Sequence, residues 1–185
     1  MSINGRPSDL ADKLKPAVIT LRIIVLAMAS GVLVFACVAA VVRMSQPPQP
    51  ANGAVPLLTT LAIVLAPLAL LAKGILPGVF VRQARARIAA GNPRAGAVPP
   101  PLSELGDAGK FFMVYQTQAI IAAATLEAVA FVSVTAFLLD GSQVALALGL
   151  LLAAAIVAMV PRLPRVVQWI NEQRRLMDEE KLLAR

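Results

Sequence analysis

The sequence predicts an all-α, polytopic membrane protein with four transmembrane helices, arranged as two hairpins and followed by a C-terminal helix at the cytoplasmic face. Of the 185 residues, 58% are hydrophobic and 15% are charged, whereas a soluble domain has about 45–50% and about 25%. The mean hydropathy is +0.77. Long apolar runs recur along the chain, and the basic residues gather on one side of them, which is typical of a multi-pass protein.

The four predicted spans lie at about residues 20–42, 55–81, 111–139 and 143–160. Because a helix rises ~1.5 Å per residue, about 20 residues cross a hydrocarbon core ~30 Å thick. The fourth run is the shortest, and Ser142 and Gln143 extend it into the headgroup layer. The short connection before it predicts that spans three and four are antiparallel neighbours. Ala145, Gly149 and Ala153 form a small-residue stripe on the fourth span, whose partner helix the sequence does not identify.

The distribution of positive charge predicts the orientation of the spans. Of the 17 Lys and Arg residues, fifteen lie in the N-terminal tail (1–17) and the start of the first run, in the loop 82–110, or in the tail 161–185. Arg43 alone lies on the other side, and Lys73 lies inside a span. The positive-inside rule then predicts a bacterial inner-membrane protein with cytoplasmic N- and C-termini.

The same distribution explains the net charge of +7 without a nucleic-acid partner. The predicted partners are the lipid bilayer and either further copies of the chain or another subunit of a membrane complex. A cleaved signal sequence is the alternative interpretation of the first run, since small residues such as Ala36 and Ala39 follow an apolar stretch. The long basic region before the run and its continuation to Val42 favour a retained helix.

The polar segments outside the membrane domain (18–160) are predicted from their helix breakers and caps. Pro16 is expected to interrupt a helical turn in the N-terminal tail. Segment 82–110 is expected to be a cytoplasmic loop, because 91–93 and 99–101 contain turn residues and prolines. Asp107 is the expected N-cap of the third span.

The tail 161–185 is predicted to contain an amphipathic helix from about Arg165 to Leu183. Two interpretations remain open for this helix. It docks a cytoplasmic partner, or it rests on the anionic inner surface of the membrane through its arginines and Trp169. Its apolar face is formed by Val166, Trp169, Ile170, Leu176, Met177 and Leu183.

The composition also restricts the available chemistry. The chain has no histidine and one cysteine, Cys37, which excludes an internal disulfide, a Cys/His zinc site and a Ser–His or Cys–His nucleophile pair. Glu104 and Asp107 form no recognisable catalytic arrangement. We therefore expect no catalytic, cofactor-binding or metal-binding residues, and a protein that is not an enzyme.

Glu127 and Lys73 are the candidate ion-binding residues, because each is the sole acid or base in the middle of a span. A charge at the bilayer centre costs about 2.5–3.5 kcal/mol on insertion scales. At ~1.5 Å per residue, Glu127 lies about 21 Å and Lys73 about 12 Å from the cytoplasmic ends of their spans. Two arrangements remain open. The two residues form an ion pair, or Lys73 extends to the inner surface while Glu127 hydrogen-bonds between helices.

Residues 119–131, with their continuation at 136–139, resemble the second helix of the rotary ATP synthase c subunit. In that family a carboxylate in the middle of the membrane follows an Ala/Leu-rich run and carries the proton or sodium ion. The sequence Val81-Arg82-Gln83 is similar to the polar loop of that hairpin. The resemblance implies that Glu127 is the ion-carrying residue. As a whole, the chain resembles small four-helix membrane proteins of bacteria.

Two functions follow as expectations. The first is a non-enzymatic scaffold or accessory subunit of the inner membrane, whose cytoplasmic loop and tail contact a partner. The alternative is a proton- or ion-handling membrane protein that uses Glu127.

Overall fold

A computed structural model describes residues 7–46, 56–89, 100 and 102–183. About 93% of these residues are helical, and no strand occurs among them, so the all-α prediction is confirmed. The helices are α1 (Pro7–Met44), α2 (Leu57–Ala89), a 3₁₀ turn (Leu102–Leu105), α3 (Asp107–Asp140), α4 (Gln143–Ala158) and α5 (Leu163–Leu183).

Within the described ranges, α1, α2 and α3 are each long and apolar enough to cross a membrane. Helix α4 has 16 residues, about 24 Å at ~1.5 Å per residue, which is short of the hydrocarbon thickness. It reaches the length of a span only together with α5, across a bend of 69°. The presence of several membrane-spanning helices is therefore supported, and the arrangement of four spans in two hairpins stays a prediction.

Helix α1 runs through the proline that was expected to interrupt it. It has 38 residues, with Pro16 in its interior. Pro16 removes the hydrogen bond to the carbonyl of Asp12, but both residues are exposed, so the freed carbonyl is open to solvent. The lost bond is therefore inexpensive, and the expectation of a break at Pro16 was wrong.

The segment predicted as a loop at 82–110 is largely helical where it is described. Helix α2 continues to Ala89, and α3 begins at Asp107. Residues 82–89 consist of strong helix formers, Ala, Arg and Gln, together with Ile88. Ile88 is 6% exposed and packs in a hydrophobic core, which stabilises the extension. Residues 90–99 and 101 lie outside the described residues.

The chain divides into two compact units, which we describe separately. Unit 1 comprises residues 1–22, 76–119 and 161–185, and unit 2 comprises residues 23–75 and 120–160. Fifteen of the 17 basic residues and eight of the ten acidic residues belong to unit 1. Unit 2 contains only Arg43, Lys73, Glu127 and Asp140 as charged residues.

Unit 1 has a hydrophobic core to which every helical segment of the unit contributes. The apolar face of α5 is part of this core, since Val166 and Ile170 are fully buried. Trp169 packs on Tyr115 of α3, with ring centroids 5.3 Å apart. The apolar face predicted for the tail helix is thus occupied by the chain itself. The buried members of the core are Leu14, Val18, Ile88, Leu102, Ala108, Phe111, Phe112, Val166, Ile170 and Met177.

In unit 2, α3 and α4 are joined by a tight turn at Gly141, whose φ of 72° favours glycine. The hydroxyl of Ser142 accepts a hydrogen bond from the backbone N–H of Ala145 and caps α4. Gly149 faces α3, because a Cβ at this position would lie 2.9 Å from Val134 Cγ2. The partner of the small-residue stripe on α4 is therefore α3.

Candidate functional site

The carboxylate of Glu127 lies between α3 and α1, in unit 2. Glu127 is half-buried, and a Cβ built on Gly31 of α1 would lie 3.7 Å from its Oε1. One turn further along each helix, the rings of Phe35 and Phe131 pack with centroids 5.4 Å apart. Because residues four apart lie on one helix face, these pairs define a single α1–α3 contact. Gly31 therefore lies next to the carboxylate, at a distance where even a Cβ would be in ordinary van der Waals contact with it.

Lys73, the other predicted ion-binding residue, lies on α2 and is half-buried. The ion pairs found among the described residues include neither Lys73 nor Glu127. Only 12% of the most apolar part of α2 is buried, against 50% for α3. The structure thus associates Glu127 with Gly31 of α1, and the ion-binding role of Glu127 and Lys73 stays a prediction.

No group of three or more side chains that could hold a metal ion occurs within the described ranges. The carboxylate of Glu127 can instead accept a proton or a hydrogen bond. A glycine beside it and an aromatic pair one turn away give it an apolar surrounding on the α1 side.

A second polar contact in unit 2 was missed from the sequence. Asp140, at the end of α3, accepts hydrogen bonds through Oδ2 from the backbone N–H of Thr59, at 3.1 Å, and from its hydroxyl, at 3.0 Å. Thr59 lies in the first turn of α2 and is 3% exposed. Its N–H has no partner within the helix. Asp140 therefore caps α2 from another helix. The sequence feature that could have indicated this contact is Pro56. It precedes α2 and has no side-chain oxygen, so the first turn of α2 needs a capping group from elsewhere in the chain.

Arg43 completes this end of unit 2. Its guanidinium group packs directly against Gly141, where any side chain would displace it. Its Nη1 also donates a hydrogen bond to Oε1 of Gln46, at 3.0 Å. Arg43, which the sequence predicts alone on the outer side, is thus held against Gly141 in the α3–α4 turn. Gly141 directly follows Asp140, the residue that caps α2.

We expect Asp140→Ala to lower the free energy of unfolding by about 1.5 kcal/mol, because a buried N–H loses a charged acceptor. Thr59→Val removes only the hydroxyl and should cost about 0.5–1 kcal/mol. The two losses should not add in the double variant, since both act on one contact. Denaturation of the detergent-solubilised chain, followed by circular dichroism, measures all three. Fully additive losses would contradict the tertiary cap.

Unit 1 contains a shallow groove between α1 and α5, with a volume of about 610 Å³. Its lining combines apolar residues with four polar residues of α5, Gln168, Asn171, Glu172 and Arg175. Arg175 is held by Glu172, at 2.9 Å, and by Glu179, at 3.6 Å. The groove is therefore lined by both apolar and polar side chains, and the charge of Arg175 is paired within α5.

Comparison with known proteins found no match: no family model, no curated protein and no solved structure is similar to this chain.

Proposed function

We propose that the chain is a multi-pass protein of the inner membrane that serves as a non-enzymatic scaffold or accessory subunit, with unit 1 in the cytoplasm. The observation that supports this most is the hydrophobic core of unit 1, built around Phe111, Phe112 and Ile170. A polar segment that only connected or anchored spans would not need a core. A packed helical unit presents a fixed surface to a partner.

The charge of the two units supports the same proposal. Unit 2 contains four charged residues in two long segments, 23–75 and 120–160. Its exposed surface is largely apolar, with side chains such as Ile23, Val34 and Leu71 each about 60% exposed. An apolar surface of this kind is suited to contact with the acyl chains of lipids. The acids and bases of unit 1 form ion pairs between exposed side chains, including Lys13–Glu104 and Arg175–Glu172, that suit an aqueous surface.

The membrane assignment is tested by extraction and by topology. The chain should remain in the membrane pellet after an alkaline carbonate wash, and reporter tags at both termini should be cytoplasmic. The hydrophobic free energy of burying an apolar helix among lipid tails is much larger than any destabilisation caused by the alkaline wash. Release into the supernatant, or tags in opposite compartments, would contradict the assignment.

The scaffold role is tested by capturing partners of the full chain in mild detergent. A stoichiometric cytoplasmic protein should copurify. Asn171→Trp, which fills the groove between α1 and α5, should remove it. Asp178→Trp is the matched control, because this exposed residue lies on the same helix outside the groove. A solitary homo-oligomer without a second protein would contradict the scaffold role.

A second candidate function is proton or ion handling through Glu127. The position of its carboxylate beside Gly31 favours it, as does the resemblance of α3 to the carboxylate helix of the rotary c subunit. In proteoliposomes, Glu127→Gln should abolish flux of the ion and leave folding intact. Lys73→Met should reduce it only if the two residues act as a pair. Flux that is unchanged in Glu127→Gln would exclude this function.

A further inference from the structure

Two arginines of unit 1, Arg162 and Arg165, follow α4 closely in the chain, and a third, Arg22 of α1, contacts the same segment. The Nε of Arg22, on α1, donates a hydrogen bond of 2.7 Å to the backbone carbonyl of Pro161. Arg162 follows in the chain, and Arg165 comes one turn later. We name Arg22, Arg162 and Arg165 the boundary arginine patch.

The charges of this patch are not neutralised within the described part of the chain. Lys13, Arg85, Lys110 and Arg175 each form an ion pair with a carboxylate. Arg22, Arg162 and Arg165 form none with the described acids, and Arg162 and Arg165 are exposed. Guanidinium groups without a carboxylate partner are available to bind an external anion.

An aromatic pair continues the patch along α5. Arg165 and Trp169 are four residues apart on α5, which places them on one side of the helix, and Arg162 directly precedes it. Trp169 in turn packs on Tyr115. Membrane proteins are enriched in Trp, Tyr and basic residues at the headgroup layer, where the lipid phosphates meet the ends of the acyl chains.

We propose that the boundary arginine patch is a binding site for the phosphate of an anionic phospholipid of the inner leaflet. The fixed position of Arg22 argues for a defined site, because its hydrogen bond to Pro161 holds one guanidinium group at the start of the α4–α5 break. Its terminal nitrogens remain as donors to a phosphate oxygen, which guanidinium groups bind in a fork geometry. The inference rests on the proposed membrane location of the chain.

The test compares lipids bound to the purified full chain in neutral detergent by native mass spectrometry. Phosphatidylglycerol should bind more tightly than phosphatidylcholine. Each arginine near an anionic surface contributes about a 5-fold gain in affinity, so Arg162→Gln/Arg165→Gln should weaken phosphatidylglycerol binding about 30-fold. Arg162→Lys/Arg165→Lys keeps the charge and should stay within about 3-fold of the wild type.

The matched control is Lys15→Gln/Arg174→Gln, which removes two exposed charges of unit 1 outside the patch. Its affinity for phosphatidylglycerol should change less than about 2-fold, since the loss of distant surface charge is screened. An equal loss in the control, or equal binding of phosphatidylcholine, would overturn the proposal. Displacement of the lipid by an equal concentration of inorganic phosphate would identify a free-phosphate site instead.

Folding of each variant is checked separately by the emission of Trp169, the single tryptophan of the chain. If the double glutamine variant unfolds, Arg162→Gln and Arg165→Gln are measured individually, with about a 5-fold loss expected for each. Failure of lipid selectivity leaves the carbonate and topology results unaffected. Failure of the lipid-site proposal can therefore be distinguished from failure of the membrane assignment.

Discussion

Replacing Gly149 with Leu is expected to lower the free energy of unfolding by about 3 kcal/mol or more. A Cβ at this position would lie 2.9 Å from Val134 Cγ2 and 3.4 Å from the carbonyl oxygen of Ala130. Both neighbours belong to α3, and one of them is backbone. The larger side chain therefore cannot be accommodated by a change of rotamer, and α3 and α4 must separate. Titration of the micellar protein with a denaturing detergent, followed by circular dichroism, measures the loss.

Gly74→Leu is the matched control for this experiment. Gly74 lies within α2, and a Cβ there would meet no atom within 4 Å. The same change of residue should therefore not lower the free energy of unfolding, and the higher helix propensity of leucine should raise it by up to about 1 kcal/mol. If the two variants lost equal stability, the effect of Gly149→Leu would be the general effect of placing leucine instead of glycine in a helix. The close approach of α3 and α4 would then not be its cause.

The helices could be predicted from the sequence, but their ends could not. The first three apolar runs satisfy the length of a span, so their helices follow from composition alone, whereas α4 is short of that length. The polar extensions of α1 and α2 are stabilised instead by Leu14, Val18 and Ile88, which are at most 6% exposed in the core of unit 1. These residues lie among charged neighbours and near prolines, so the local sequence does not predict a helix there. Their packing in the tertiary core determines where α1 begins and where α2 ends.

The same limit applies to the candidate site. Glu127 stands out in the sequence, because an acid in an apolar run is costly wherever the helix packs. Its neighbour Gly31 lies far away along the chain, and nothing local in either segment specifies that α1 and α3 meet there. The contact of Asp140 with Thr59 is equally long-range. Local patterns identify residues that need a partner, whereas the packing of helices selects the partner.

Unit 1 contains a still closer approach, at Gly109 in the first turn of α3. The carbonyl oxygen of Leu102 occupies the space that a Cβ at Gly109 would take, and Leu105 Cβ would lie 3.5 Å away. Gly109→Ala gains about 1 kcal/mol in helix propensity. That gain is outweighed, because the 3₁₀ turn must move and Leu102, 6% exposed, must leave the core. We expect a net loss of about 3 kcal/mol in the free energy of unfolding.

Trp169 makes this loss measurable within unit 1. It is the single tryptophan and packs on Tyr115 in the same unit, so Gly109→Ala should shift its emission to the red at lower denaturant. Gly74→Ala, where the space is open, should not move the transition to lower denaturant.

Leu102→Ala separates displacement of the 3₁₀ turn from a purely local clash. Alone it should cost about 2–3 kcal/mol, as expected for a buried leucine. Combined with Gly109→Ala, it should add little, because both changes remove the same contact of Leu102 with the core. Additive losses would show instead that Gly109→Ala destabilises α3 directly. The 3₁₀ turn would then not be held by its contact with that helix.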